Sequence, residues 1–136
     1  MTTDTPSSPA SSSPAPINKF LAFCIDTPDA ARAARFYAAL TGGEASEFPE
    51  YRYAAVEALG TSLNFQTVAD YRRPEWPGQE HPQQFHLDFG VPALEPAIAH
   101  AQALGATVAA EQPDGATWRV MIDPDGHPFC LCPPHQ

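Results

Sequence analysis

Alternating apolar and polar positions are clearest over residues 85–91, which have the sequence Phe-His-Leu-Asp-Phe-Gly-Val. The apolar side chains fall on one face of this segment, and His86 and Asp88 fall on the other. A period of two residues is typical of a strand that buries one face. Because imidazole and carboxylate groups serve in small-molecule and metal sites, we predict that this strand directs His86 into a cavity.

Similar patterns predict the elements of the first half of the chain. A strand over 20–25 precedes a helix that ends near Leu40. Thr27 is its predicted N-cap, with Pro28 at the first helical position and Asp29 in the first turn. Three strands are predicted to follow, over 44–48, 51–58 and 61–68, with a hairpin turn at Gly60.

The same order of elements starts again after residue 84. The strand over 85–91 precedes a predicted helix over 94–104 and strands over 107–110, 117–122 and 128–132. Between the halves, residues 70–83 contain prolines and no periodic pattern, which predicts a connecting loop. Tyr71 and Trp76 in this loop are candidates for a lid over a cavity or for an interface.

The two halves align at a constant separation of 64 residues (104 − 40). The aligned pairs are Ala22 with His86, Leu40 with Leu104, Phe65 with Phe129, and Gln66 with Cys130. A strand–helix–three-strand unit that occurs twice predicts an α+β fold. We expect two βαβββ modules, related by a pseudo-two-fold axis, that form a cup-shaped cleft.

The parity of the end strands predicts which faces are buried. The odd positions are all apolar and are expected to lie under the two helices: Leu21, Phe23, Ile25, Leu63, Phe65, Leu87, Phe89, Val91, Phe129 and Leu131. The even positions are mostly polar or soft: Ala22, Cys24, Asn64, Gln66, His86, Asp88, Cys130 and Cys132. Because none of these is Lys, Glu or Thr, this face resembles the lining of a pocket more than a solvated surface.

The length of 136 residues indicates a single domain. Ser, Thr, Pro and Ala make up nearly all of residues 1–16, which predicts a disordered tail. The domain is expected to span 17–134, with modules over 17–69 and 84–134 joined by the proline-rich loop 70–83.

The net charge of −9 argues against nucleic acid or an anionic membrane as a partner. The chain has neither a transmembrane run nor the pattern of a signal peptide, and its three cysteines suit a reduced compartment. We therefore expect a cytoplasmic protein whose partner is a small molecule. Nucleophile-elbow, phosphate-loop and dinucleotide-binding motifs do not occur, which argues against hydrolase, nucleotide and nicotinamide functions.

Six short motifs carry a family resemblance that covers residues 18–133. They are Asp26-Thr27-Pro28-Asp29, Arg35-Phe36-Tyr37, Leu63-Asn64-Phe65-Gln66, the segment 82–88, Leu104-Gly105-Ala106 and the segment 123–130. In this order and spacing, the chain resembles the vicinal oxygen chelate superfamily, specifically its glyoxalase-like domain proteins. The resemblance implies paired βαβββ modules curled around a cavity, and pairing of two copies as a homodimer is common in that family.

The resemblance also implies a ligand set, because metal-dependent members place His, Gln or Glu on the first and last strands of each module. Carried over by position, these sites are Ala22, Gln66, His86 and Cys130. Ala22 offers no donor, so the implied metal ligands are His86, Gln66 and Cys130, with Cys130 where many members have glutamate. The implied cofactor is a divalent metal (Zn, Ni, Mn or Fe) or none.

Two functions remain open. The first is a glyoxalase-like lyase, isomerase or dioxygenase, with His86 and Asp88 as catalytic residues. The second is a non-catalytic binder of a small molecule of the antibiotic type, without a metal. For either function, the expected substrate-binding residues are Asn64, Gln66, Trp118 and Cys130.

Each candidate also has a simpler interpretation. His86 could be a hydrogen-bonded pocket residue, Cys130 an inert buried thiol, and Trp118 a packing residue. Asp88 could orient His86, although neighbouring side chains on one strand face need not pair. The remaining candidates are assigned no chemistry: Cys24 and Cys132 are expected in the core or the cup wall, and His81 and His127 in solvent.

Overall fold

The computed structural model describes residues 16–134, which form two sheets, each with one helix. The first module contains β1 (Phe23–Thr27), α1 (Ala30–Thr41), β2 (Glu44–Phe48), a 3-10 turn (Pro49–Tyr51), β3 (Tyr53–Ala58) and β4 (Thr61–Thr67). The second contains β5 (Leu87–Gly90), α2 (Leu94–Ala103), β6 (Thr107–Val108), β7 (Arg119–Ile122) and β8 (Pro128–Cys132). The predicted tail falls almost entirely outside the described residues. Neither helix of the described part is long and apolar enough to cross a membrane.

Both sheets have the same strand order. The first is β1-β4-β3-β2 and the second is β5-β8-β7-β6. In each sheet the first and last strands of the module pair in parallel, and the other neighbours pair antiparallel. The predicted α+β fold of two βαβββ modules is therefore confirmed.

The prediction that Thr27 caps α1 is wrong, because β1 continues through Thr27, which pairs with Thr67 of β4. The helix cap is Asp29, whose backbone is extended and whose carboxylate accepts a hydrogen bond of 3.1 Å from the backbone N–H of Arg32. The helix ends at Gly42, which takes the left-handed conformation (φ 79°) that glycine adopts without a steric cost.

The edge strand β1 and the residues just before it are less covered than the alternation of odd and even positions predicts. Ile25, Leu63 and Phe65 are buried as expected, but Leu21 is 76% exposed and Phe23 is 52% exposed. β1 lies at the edge of its sheet, and α1 packs mainly against β2, β3 and β4. The apolar face of β1 is therefore left partly open.

The repeat does not keep a constant separation of 64 residues. Cys24 of β1 pairs with Asn64 of β4, whereas Asp88, its counterpart in β5, pairs with Cys130 of β8. The residue of the first module that occupies the position equivalent to Cys130 is thus Asn64 and not Gln66. The physical cause is the hairpin loop, which has two residues between β3 and β4 and five between β7 and β8.

A buried polar network joins the five-residue loop of the second module to the first module. The Tyr37 hydroxyl donates to the carboxylate of Asp123 (2.5 Å), and the Thr27 hydroxyl donates to that of Asp125 (2.6 Å). Arg32 forms an ion pair with Asp125. Both carboxylates are buried, and each has partners on α1 or β1, which ties the two modules together.

His127 belongs to the same network, and the expectation that it is solvated is wrong. It is 1% exposed, and its Nε2 lies 3.0 Å from the carbonyl oxygen of Asp26 and 3.1 Å from the hydroxyl of Tyr71. A carbonyl only accepts, so Nε2 carries the proton in this contact. Tyr71 also donates to the Asp125 carbonyl (2.8 Å), which fixes this part of the connecting loop.

Candidate functional site

Three side chains with metal-binding or acid–base chemistry meet on one face of the second sheet. His86 precedes β5 by one residue, and Asp88 lies two residues further on, so both point to the same side of the strand. Strand pairing sets Cys130 of β8 opposite Asp88. Nε2 of His86 lies 3.0 Å from Sγ of Cys130 and 3.1 Å from Oδ1 of Asp88. We call these three residues the His–Asp–Cys cluster.

The cluster forms one wall of a cavity of about 510 Å³. Trp76 of the connecting loop and Trp118, just before β7, line the same cavity. The remaining wall is mostly apolar and consists of Pro113, Thr117, Val120, Cys132 and Pro133. A concave, largely apolar pocket with a few converging polar groups is the usual form of a small-molecule site.

The thiols of the cavity are neutral at ordinary pH. Burial raises the pKa of Cys130 to about 12, and the negative charge of Asp88 beside it acts in the same direction. Burial also raises the pKa of Cys132. Because the thiolate is the nucleophilic form, Cys130 is a poor nucleophile unless a cation stabilises its anion.

The two amides predicted for this site lie in the first sheet. Nε2 of Gln66 lies within hydrogen-bonding distance of three backbone carbonyl oxygens, those of Tyr51 (3.4 Å), Arg52 (3.1 Å) and Thr67 (3.3 Å). Among the described residues, neither Asn64 nor Gln66 lines the cavity. The structure therefore brings His86, Asp88, Cys130 and Trp118 together and leaves Asn64 and Gln66 apart from them.

Trp76 and Cys132 are among the lining residues for which the sequence predicts no ligand-binding role. For Trp76 the sequence predicts only a lid or an interface role, and for Cys132 only a place in the core or the cup wall. The alternation of faces along a strand does carry a signal for Cys132, which lies two residues after Cys130 and so shares the cavity face of β8 with it. The position of Trp76 depends on the path of the irregular loop 70–83, for which a periodic pattern gives no signal.

The donor atoms of the His–Asp–Cys cluster all lie within 4.8 Å of one another. Imidazole nitrogen, carboxylate oxygen and thiolate sulfur are the three ligand types of protein-bound zinc, and three protein ligands with one open position are typical of catalytic zinc. A thiolate suits Zn²⁺ better than Mn²⁺, which prefers oxygen donors. The residues present thus fit a zinc-type ion, which would supply Lewis acidity toward an oxygen of a ligand.

Comparison with known families gives one match. The sequence model of the family described as "Glyoxalase-like domain" matches residues 22–132, which include both modules and the whole His–Asp–Cys cluster. Among curated protein sequences, none matches this chain.

Solved structures share the fold at low sequence identity. A fosfomycin resistance protein (FosX) from Listeria monocytogenes superposes with a TM-score of 0.65 at 14% identity, covering 88% of this chain and 95% of that one. Glyoxalase I from Leishmania major gives a TM-score of 0.56 at 21% identity, covering 86% and 87%. A glyoxalase/bleomycin resistance protein from Albidiferax ferrireducens gives 0.57 at 18%, covering 85% and 98%. At these identities the likeness concerns the fold alone.

Proposed function

The chain belongs to the glyoxalase-like domain family, and from that premise we propose that it binds a small, flat organic molecule in the cavity of its second sheet. One observation carries this proposal: a cavity of about 510 Å³ has two indole rings in its wall and a cluster of hydrogen-bonding groups beside them. That volume lies within the range of about 300–1,000 Å³ that is typical of small-molecule sites.

The lining residues suggest how such a ligand is held. Trp76 and Trp118 offer aromatic surface, and Trp118 is still 38% exposed, so its ring is available for contact. The Thr117 hydroxyl can donate or accept a hydrogen bond, and the exposed Asp88 carboxylate can accept one from the ligand. Asp88 contributes a negative charge to the same wall, which disfavours an anionic ligand. We therefore expect an uncharged aromatic or otherwise planar compound that carries a polar group.

Tryptophan fluorescence provides a direct test, because the chain contains two tryptophans and both line the cavity. Chelator-treated protein is titrated with a panel of uncharged planar compounds, including antibiotics, and hits are checked by thermal shift. We expect a hit to change the emission and raise the melting temperature.

Trp118→Ala should lower the affinity for such a compound, and Trp118→Phe should retain most of that affinity. The matched control is Tyr51→Ala, which removes an exposed aromatic residue of the other module. Binding that is unaffected by Trp118→Ala would contradict the proposal.

A second candidate function is metal-assisted catalysis, with a lyase, isomerase or dioxygenase reaction on such a ligand. The observation that favours it is the convergence of His86, Asp88 and Cys130 at the cavity wall. In this function, His86, Asp88 and Cys130 hold the ion and Trp118 positions the substrate. Turnover of a bound compound that requires added Zn²⁺ and is lost in His86→Ala would support it; tight binding without turnover favours the non-catalytic function.

We also propose that two copies of the chain associate through the uncovered side of β1 and the residues just before it. The support is the exposure of apolar side chains at Phe20, Leu21 and Phe23, which a soluble monomer rarely leaves in one place. Sedimentation velocity should show a dimer for the parent chain and a monomer for the double substitution Leu21→Ser, Phe23→Ser. A monomeric parent would contradict this proposal.

A further inference from the structure

We infer that the metal site of this chain is complete within the second module, where His86, Asp88 and Cys130 together hold one thiophilic ion of the zinc type. The inference rests on the second candidate function, and it deepens that function by assigning the whole set of protein ligands to one module. It differs from the ligand set that the family resemblance implies, in which Gln66 of the first module takes part and Asp88 does not.

The first support is that local structure alone brings the three donors together. The two-residue step from His86 to Asp88 and the pairing of Asp88 with Cys130 are both properties of the β5–β8 pair. The distances from His86 to its two neighbours, 3.0 Å and 3.1 Å, leave little rearrangement before a shared ion could be bound. The geometry does not depend on how the two modules are placed.

The second support is that the first module offers nothing comparable. Ala22 has no donor atom. The Asn64 amide is engaged at both ends, since its oxygen accepts a hydrogen bond from Ser62 (2.8 Å) and its nitrogen donates to the hydroxyl of Tyr53 (2.5 Å). The amide nitrogen of Gln66 lies against backbone carbonyl groups of its own module, and among the described residues Gln66 does not line the cavity.

The class of ion follows from the donor set. A thiolate selects soft or borderline ions such as Zn²⁺ and Cd²⁺ over Mn²⁺, and imidazole completes a set that suits zinc. Binding transfers the Cys130 thiol proton to solvent, so the ion meets one thiolate and one carboxylate, whose two negative charges balance its two positive charges. Asp88 therefore supplies a charge that the amide of Gln66 would lack.

The inference can be tested by metal binding, without any assay of activity. Full-length protein is treated with a chelator and titrated with Zn²⁺ by calorimetry, and with Cd²⁺ while the ultraviolet charge-transfer absorption of a cadmium–thiolate bond is recorded. We expect about one equivalent of either ion per chain. Mn²⁺ should bind at least about tenfold more weakly.

Matched variants then separate the two ligand sets. Asp88→Asn should weaken Zn²⁺ binding about tenfold or more, and Cys130→Ser should also abolish the cadmium–thiolate absorption. Gln66→Ala should bind as the parent does, and so should Cys24→Ser, which removes an exposed thiol of the first module. Urea unfolding of each metal-free variant shows whether it is folded.

Three outcomes would overturn the inference: a parent that binds neither ion, a loss of binding in Gln66→Ala, or binding that survives both Asp88→Asn and Cys130→Ser. None of them bears on the proposed cavity ligand, because the fluorescence titration uses chelator-treated protein. Failure of the metal site and failure of small-molecule binding are therefore distinguishable.

Discussion

The hydroxyl of Tyr37 is the most informative single group to remove from this fold. It donates a hydrogen bond of 2.5 Å to Oδ2 of Asp123, which joins α1 of the first module to the loop that follows β7. Burial raises the pKa of Tyr37 well above its usual range, and the nearby Asp123 charge adds to this, so the hydroxyl stays protonated and keeps donating. Tyr37→Phe removes the donor and keeps the ring, which stacks on Phe65 at 5.5 Å between centroids.

The expected loss of stability follows from the hydrogen bonds that Asp123 keeps in Tyr37→Phe. Oδ1 still accepts the backbone N–H groups of Asp125 (2.8 Å) and His127 (2.9 Å), but Oδ2 loses its hydroxyl partner in a site that is 2% exposed. A hydrogen bond to a charged group is worth about 1.5–3 kcal/mol, so we expect Tyr37→Phe to lower the free energy of unfolding by about 2 kcal/mol.

Urea unfolding measures this loss, and a slope of about 1–3 kcal/mol per molar would place the midpoint roughly 1 M lower. Tyr51→Phe, at a tyrosine that is 71% exposed, is the control and should change stability by less than about 0.5 kcal/mol. A cycle with Asp123→Asn should give a coupling energy within about 0.5–3 kcal/mol. If Tyr37→Phe costs no more than the control, the buried network does not hold the modules together.

Three further predictions concern caps, titration and thiols. Asp29→Ala removes the side-chain cap of α1 and should lower the free energy of unfolding in urea by about 1 kcal/mol. Asp26→Ala, at an exposed aspartate that caps no helix, is the comparison. Burial raises the pKa of Asp123, so folding favours its protonated form. Relative to Asp123→Asn, the parent should therefore lose stability as the pH rises from the ordinary aspartate pKa to the raised value, and a constant difference would refute this. With a maleimide at neutral pH, Cys24 should react well before Cys130, because Cys24 is exposed and Cys130 is a buried thiol with a pKa of about 12.

The repeat was readable from the sequence because its signals are local. Alternation places side chains on the two faces of a strand, and helix signals depend on neighbouring residues, so both modules and the order of their elements along the chain could be predicted. Strand pairing is not local. The longer β7–β8 loop shifts β8 by two residues relative to β5. The position equivalent to Cys130 in the first module is therefore Asn64 and not Gln66.

The segment Asp123–His127 also depends on contacts that are distant in the sequence. Its composition is that of an exposed turn, and turn chemistry does describe its backbone. Its burial comes from Tyr37, Thr27 and Arg32, which lie 86 to 98 positions away in the chain. Contacts at that separation leave no periodic signal, so the sequence predicts a solvated His127 although the side chain is buried.

By itself, the sequence determined the fold class, the two modules and the shared face of His86 and Asp88, because each follows from short-range periodicity and from a repeat. Only the tertiary structure decided that Cys130 meets this pair, that Trp76 joins Trp118 at the cavity, and that Gln66 stays with its own sheet. Those outcomes depend on strand register, loop path and competing backbone acceptors, which are set by the packing of segments far apart in the chain.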